Sequence, residues 1–206
     1  MRLYCATSNP GKLREFELAA RRLGRGDWRF APLSGIPPCQ ETGAAFEENA
    51  VQKAVYYSPH AAGLLFAEDS GLEVVALGGG PGVRSARWAG NDAQNNRRLV
   101  ELLGRVKDRR ARYVCVLALA EQGRLLRTFR GEVEGEIVDE PRGVNGFGYD
   151  PHFFYPPLGC TFAEATPEQK LEVSHRGRAV AAMLEYLQAA PAASAPPPSS
   201  RNPVPR

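Results

Sequence analysis

The sequence predicts an α/β fold in which a mixed β-sheet is flanked by helices. Apolar runs of strand length alternate with helix-period segments over residues 1–188, and two long strand-like runs lie back to back in the middle as a hairpin. Its 43% hydrophobic and 24% charged residues are the balance of a packed globular chain, which excludes a disordered, collagenous or membrane-embedded bulk. A length of 206 residues suits one sizeable domain or two small lobes and is too short for a multidomain enzyme.

Taken in order, residues 3–7 read as a buried strand and residues 11–23 as a helix with Leu13, Phe16 and Ala20 on one face. Asn9 as N-cap and Pro10 at the first helical position mark their junction. Phe46, Ala50, Ala54 and Tyr57 form the apolar stripe of a helix over 43–57. Strands are expected at 64–67 and 72–77, separated by a turn-like Glu68-Asp69-Ser70-Gly71. A surface helix at 93–103 precedes two long strands, 112–120 and 124–138, joined by a turn at Gln122-Gly123. Residues 143–159 are rich in Gly, Pro and aromatics, and Val180, Met183, Leu184 and Leu187 mark a last helix capped by Ser174. No repeat interrupts residues 1–188, which read as one domain. Residues 189–206 hold six prolines and little to bury, the composition of a disordered Pro/Ala/Ser-rich tail.

The net charge is +3, but setting aside the two arginines of the tail leaves 24 basic against 23 acidic residues. A near-neutral body argues against a non-specific grip on nucleic acid and suits a small anionic ligand. Cys5, Cys39, Cys115 and Cys160 are widely spaced, with no C-x-x-C pair, so neither zinc nor a disulfide framework is expected and a reducing cytoplasm is the default. The start has too short an apolar run for a secretory signal, and the longest apolar stretch, residues 113–120, cannot span a bilayer.

The candidate chemistry is distributed along the chain. Thr7-Ser8-Asn9-Pro10-Gly11-Lys12 joins a strand to a helix, and a helix N-terminus with a lysine in its first turn suits an anion such as phosphate. An ordinary capped helix that includes a lysine has the same sequence, and the Walker A pattern is absent. The chain has 22 arginines and only four lysines, at positions 12, 53, 107 and 170. Retaining a compact ammonium where arginine is the rule hints at a point-charge role. Glu68 and Asp69 follow an apolar strand, at the end where ligand crevices of open α/β sheets lie. Glu41 precedes a helix with Asn49 and Lys53 on a polar stripe. Such carboxylates suit a hard divalent cation; equally, Glu41 would favour a helix start and Asp69 an Asx-type turn.

Residues 78–90, GGGPGVRSARWAG, fail the dinucleotide fingerprint and read as a flexible wall carrying Arg84 and Arg87. Gly146-Phe147-Gly148-Tyr149-Asp150 sets aromatic rings between glycines, which offers a stacking surface for a flat base or a tight turn with core aromatics. Lys170, His175 and Arg176 surround the start of the last helix. Donors there would favour a carbonyl oxygen over an amino group, hence 6-oxo purines over adenine, unless they are simply solvated.

Six blocks in this order, TSNPGK, ETG with FEENAVQKA, AEDSGLEV, LGGGPGVRSAR, GFGYDPHFF and KLEVSHRG, strongly resemble the inosine triphosphate pyrophosphatase family, also called XTP/dITP diphosphatases, over about residues 2–187. The resemblance implies a house-cleaning enzyme that hydrolyses the non-standard nucleotides ITP, dITP and XTP to the monophosphate and pyrophosphate with Mg2+. It also implies a homodimer of elongated protomers, each with its site in a cleft between two lobes. Carried over by position, Thr7 to Lys12 would bind phosphate, Glu41 and Asp69 would hold Mg2+, and Asp69 would also accept the proton of the attacking water, with Lys53 near the phosphates. Ser70 would touch substrate, Phe147, Gly148, Tyr149 and Asp150 would contact base and sugar, and Lys170, His175 and Arg176 would complete the base pocket. Glu68 departs from the family pattern, which commonly has aspartate there, and the tail has no family counterpart. A pyrophosphatase for modified pyrimidine or other nucleotides would carry similar phosphate machinery. A nucleotide-binding or RNA-binding module would instead use Arg84, Arg87, Arg97 and Arg98 as a basic surface.

Overall fold

The fold is that of a computed structural model, which describes residues 2–23, 29–33 and 35–189. The chain opens on β1 (Arg2–Ala6), α1 (Pro10–Leu23), β2 (Arg29–Pro32), α2 (Phe46–Tyr57) and β3 (Leu65–Val74). It continues through α3 (Asp92–Leu103), the hairpin of β4 (Arg110–Glu121) and β5 (Arg124–Ile137), the short β6 (Phe153–Tyr155) and β7 (Cys160–Thr161), then α4 (Pro167–Val173) and α5 (His175–Ala189). Among the described residues these strands form one seven-stranded sheet, ordered β2-β1-β3-β4-β5-β6-β7. β1 pairs in parallel with β2 and β3, and the later pairings are antiparallel, so the sheet is mixed as the sequence predicts.

β1 is where the topology divides. The chain leaves it through α1 towards β2 on one side and returns through α2 to β3 on the other. The two helices therefore cover opposite faces: Phe16 and Ala19 of α1 pack with α5 on Leu3, Cys5, Phe66 and Leu117, whereas Ala50 and Ala54 of α2 pack on Leu65, Ala67, Val114 and Val116. Connections that diverge from one strand leave a crevice beyond its carboxyl end. Here β1 stops at Ala6, paired to Ala67, while β3 runs on past it.

A further core gathers at the far end of the long strands, where Leu72, Tyr113, Val133, Phe153 and Phe162 pack with Leu99 and Leu103 of α3. The two parts share β3, β4 and β5 and stand as lobes on one sheet. No helix among the described residues is long and apolar enough to cross a membrane.

Several elements differ from expectation. β3 is one continuous strand: Glu68, Asp69, Ser70 and Gly71 pair with Leu117, Val116, Cys115 and Val114 of β4, so neither a turn nor an Asx motif forms there. Turn-favouring composition is overridden because the neighbouring strand supplies a ladder partner for each residue. Helix α2 begins three residues later than residue 43, since the side chains of Glu48 and Asn49 reach back to the N–H groups of Ala44 and Gly43 and hold them outside it. The glycine-rich segment is not a free wall. Residues Gly82–Arg87 form a 3-10 helix whose Ser85 hydroxyl bonds the Leu72 N–H at 2.9 Å, and Gly71 leaves it room, since a Cβ there would stand 2.3 Å from Ser85 Oγ.

Helix α4 escaped the sequence reading, although Thr166-Pro167-Glu168-Gln169 is a capping box with proline at the first position, and β2, β6 and β7 are too short to show a period. Ser174 caps α5 as predicted, accepting from Gly177 N. That helix extends to Ala189, and the rest of the expected tail, 190–206, lies outside the described residues.

Candidate active site

Alternation along β3 sends the adjacent carboxylates Glu68 and Asp69 to opposite faces of the sheet. Glu68, only 3% exposed, meets α1, where Lys12 pairs with it. Burial works to raise the Glu68 carboxyl, but Lys12, Arg176 and Lys53 together outweigh it and bring its pKa down to about 2. Asp69 turns towards α2, where Oδ1 accepts from Lys53 Nζ at 3.2 Å and Oδ2 from Asn49 Nδ2 at 3.1 Å. Asn49 and Lys53 lie one helical turn apart, so α2 presents both to one carboxylate. Burial raises the Asp69 pKa above its ordinary value; Lys53 opposes the rise and Glu68 adds to it. Burial works to lower the Lys53 pKa, but Asp69, Glu68 and Glu41 raise it, so the ammonium stays charged.

Lys53 also lies 3.6 Å from Glu41 Oε2, which Arg87 approaches to 3.4 Å. These groups line a cleft of about 670 Å3 together with Thr7, Ser8, Asn9, Lys12 and Ser70, and Val83 and Ala86 of the 3-10 helix also line it. The α1 N-terminus differs from the expected cradle. Asn9 Oδ1 already accepts from the N–H groups of Gly11 and Lys12, Leu13 N–H bonds the Asn9 carbonyl, and Pro10 has no N–H to offer. Pro10 and Gly11 accordingly do not line the cleft. Attraction for an anion there comes from the Lys12 ammonium and the helix dipole rather than from unpaired amides.

Among the described residues no group of three or more His, Cys, Asp and Glu side chains is arranged to hold a metal ion alone. Glu41 and Asp69 nonetheless converge on one cation, the Lys53 ammonium, beside the cleft. Two hard carboxylates with room for phosphates fit Mg2+, which binds through one or two carboxylates plus waters and substrate phosphates.

A second cavity, of about 70 Å3, adjoins the first, and Asn9, Lys12, Ser70 and Ala86 line both. Its walls include Tyr113, Phe147, Tyr149, Asp150, Lys170, His175 and Arg176. The basic groups are not solvated; they form a buried network. Lys170 Nζ pairs with Glu15 Oε1 at 2.7 Å and with Asp150, while Arg176 pairs with the other Glu15 oxygen and donates to Ser70 Oγ at 3.0 Å. Asp150 also accepts from Phe147 N at 2.9 Å and Tyr113 Oη at 3.3 Å. His175 stacks on Tyr113 with ring centres 4.6 Å apart, and burial, with Arg176, Lys170 and Lys12, pushes its pKa well below the ordinary value, leaving a neutral imidazole. Among the described residues, His175 Nδ1 and Arg176 Nε are buried without a partner. The Phe147 ring lies against α1 at Gly11, where a Cβ would come within 2.6 Å of it.

Comparison with known proteins decides the family. A family model described as the Ham1 family matches residues 3–186. The chain belongs to the Ham1 family. It is 46% identical over 197 residues to a dITP/XTP pyrophosphatase of Acidobacterium capsulatum, covering 90% of this chain and 97% of that one. It is 44% identical to a dITP/XTP pyrophosphatase of Thermus thermophilus, covering 93% and 94%. The Ham1 protein structure from Coxiella burnetii superposes with a TM-score of 0.82 at 38% identity, covering 92% of this chain and all of that one.

Within this Ham1 fold the expected residues gather in two adjoining places. Thr7, Ser8, Asn9, Lys12, Glu41, Lys53, Asp69 and Ser70 surround the cleft, and Phe147, Gly148, Tyr149, Asp150, Lys170, His175 and Arg176 the smaller pocket. Sequence reasoning missed Glu15, which pairs with both Lys170 and Arg176, and Tyr113, which backs His175. Nothing local separates Glu15 from Glu17 on a charged helix. Asn49 had a signal, its i, i+4 relation to Lys53. Of the arginines considered as a basic surface, Arg87 turns to Glu41 and Arg98 lies over the Trp88 ring at 4.9 Å.

Proposed function

We propose that the protein hydrolyses ITP, dITP and XTP to the nucleoside monophosphate and pyrophosphate, using Mg2+, as a homodimer. The observation that carries this reading is the union at Ser70 and Lys12 of a carboxylate- and lysine-lined cleft with a small pocket walled by aromatics and buried donors. Relatives named dITP/XTP pyrophosphatase, at up to 47% identity, support the substrate class. The homodimer follows from the family resemblance.

Bound by Glu41 and Asp69, Mg2+ would neutralise phosphate charge and help orient the substrate. Lys12 and Lys53 provide fixed positive charge for the phosphates, Lys12 held by Glu68 and Lys53 by Asp69. Asp69 takes the proton of the attacking water at a carboxylate oxygen; its burial makes it a stronger base than an exposed aspartate, and Asn49 fixes its orientation. In the base pocket, unpartnered Arg176 Nε and the remaining Lys170 N–H donate to a 6-oxo group, and an adenine amine would leave them facing donors. The test is pyrophosphate release from ITP, XTP, GTP, ATP and dTTP, each with Mg2+ and with EDTA. Metal-dependent release confined to ITP and XTP is expected, and equal release from ATP would defeat the reading.

A further inference from the structure

Gly148 is held by both of its backbone polar groups. Its N–H donates to Asp92 Oδ2 at 2.8 Å and its carbonyl accepts from Asn96 Nδ2 at 3.0 Å. Asp92 and Asn96 lie one turn apart on α3, so a single helix face grips both sides of this residue. Gly148 has φ of +64°, and among the described residues no atom lies within 4 Å of where its Cβ would stand, so that side of it is open. Its neighbours Phe147 and Tyr149 are the rings of the small pocket. On the inner side the loop is anchored through Asp150 to Lys170, and on the outer side Gly148 itself is anchored by the two α3 side chains. Asn96 Oδ1 is buried without a partner among the described residues, so the favourable contribution of this amide rests on its Nδ2 bond to Gly148.

Gly148 lies in the wall of the small pocket, between the rings of Phe147 and Tyr149. We infer that Asp92 and Asn96 are specificity-determining positioning residues, which set the aromatic wall at 147–149 against the base through Gly148. The inference rests on the nucleotide reading above. Neither residue lines the phosphate cleft, and Asp92 stands at the edge of the base pocket, so the effect falls on base recognition and not on the Lys53–Asp69 chemistry.

The test compares steady-state kinetics of the full chain on ITP and ATP. Asn96→Asp keeps the shape of the side chain but sets a carboxylate against the Gly148 carbonyl. It is expected to raise KM for ITP by about tenfold and narrow the ITP-over-ATP preference similarly, with kcat on ITP within about twofold. Asp92→Ala acts in the same direction, and Asp92→Asn, which keeps an oxygen to accept from Gly148, recovers most of that loss. Unchanged KM and preference in both Asn96→Asp and Asp92→Ala would overturn the inference. So would an equal loss of kcat on both nucleotides without change in preference, the mark of a merely structural role. The wild type is measured first: if it hydrolyses no ITP, the functional reading fails and takes this one with it, whereas an active wild type with indifferent variants sinks this one alone.

Discussion

The Lys53 ammonium lies 3.2 Å from Asp69 Oδ1, so the carboxylate assigned to the attacking water rests against a half-buried cation carried on another element. Burial alone would weaken Asp69 as an anion; the lysine opposes that and keeps a charged, oriented carboxylate at the mouth of the cleft. Asp69→Asn keeps the Asn49 and β4 neighbours but removes the proton acceptor. Turnover is expected to fall at least ~10²- to 10⁴-fold with the fold retained. Circular dichroism with ITP kinetics checks it, and near-normal turnover would remove Asp69 from the mechanism.

Arg176 lines the base pocket and bonds Glu15 and Ser70, and its Nε has no partner among the described residues. Arg176→Ala is expected to narrow the ITP-over-ATP preference by roughly 10- to 100-fold, from ~1.5–3 kcal/mol for a hydrogen bond to a charged group. Arg176→Lys keeps a charge near Glu15 while dropping the Nε donor, so loss of preference there separates recognition from folding. Kinetics on both nucleotides decide the matter; an unchanged preference in the lysine variant would take Nε out of base recognition.

Gly11 admits the Phe147 ring to the surface of α1. Alanine is the better helix former, yet Gly11→Ala would put a methyl 2.6 Å from that ring and push it into the base pocket. An increase of about tenfold in KM for ITP is expected, with a smaller effect on kcat, since displacements near 1 Å are costly to substrate positioning. A variant with wild-type KM would show that Phe147 does not shape the pocket.

His175 gives stability a pH dependence. Its folded pKa lies well below the ordinary 6.5, so between the two values the unfolded chain binds a proton that the native state does not. Stability therefore rises with pH across that window: the contribution is complete above about pH 6.5 and is lost as pH falls, with a slope of at most ~1.4 kcal/mol per pH unit. His175→Gln should flatten the urea midpoint between pH 5 and 7. Parallel profiles for wild type and variant would contradict a buried neutral imidazole.

Much of the site was legible because its signals are local. Asn9 and Pro10 announce the start of α1, and Lys12 belongs to its first turn whatever else the fold does. Asn49 and Lys53 share a face because α2 is a helix. The turn expected at Glu68-Asp69-Ser70-Gly71 failed because composition was weighed without the β4 strand that pairs with it. The surroundings of Lys170 and Arg176 were not legible for the same kind of reason: Glu15, more than 150 positions away in sequence, pairs with both.

By itself the sequence determined the α/β class, the helix starts, the central hairpin and the family to which the chain belongs, since each depends on residues within a few positions of one another or on an ordered set of motifs. Tertiary structure alone decided that Glu68 and Asp69 serve opposite faces, that Glu15 pairs with Lys170 and Arg176, and that α3 grips Gly148. Those relations depend on which elements pack together, and the free energy that selects the packing is summed over the whole core and not written in any one segment.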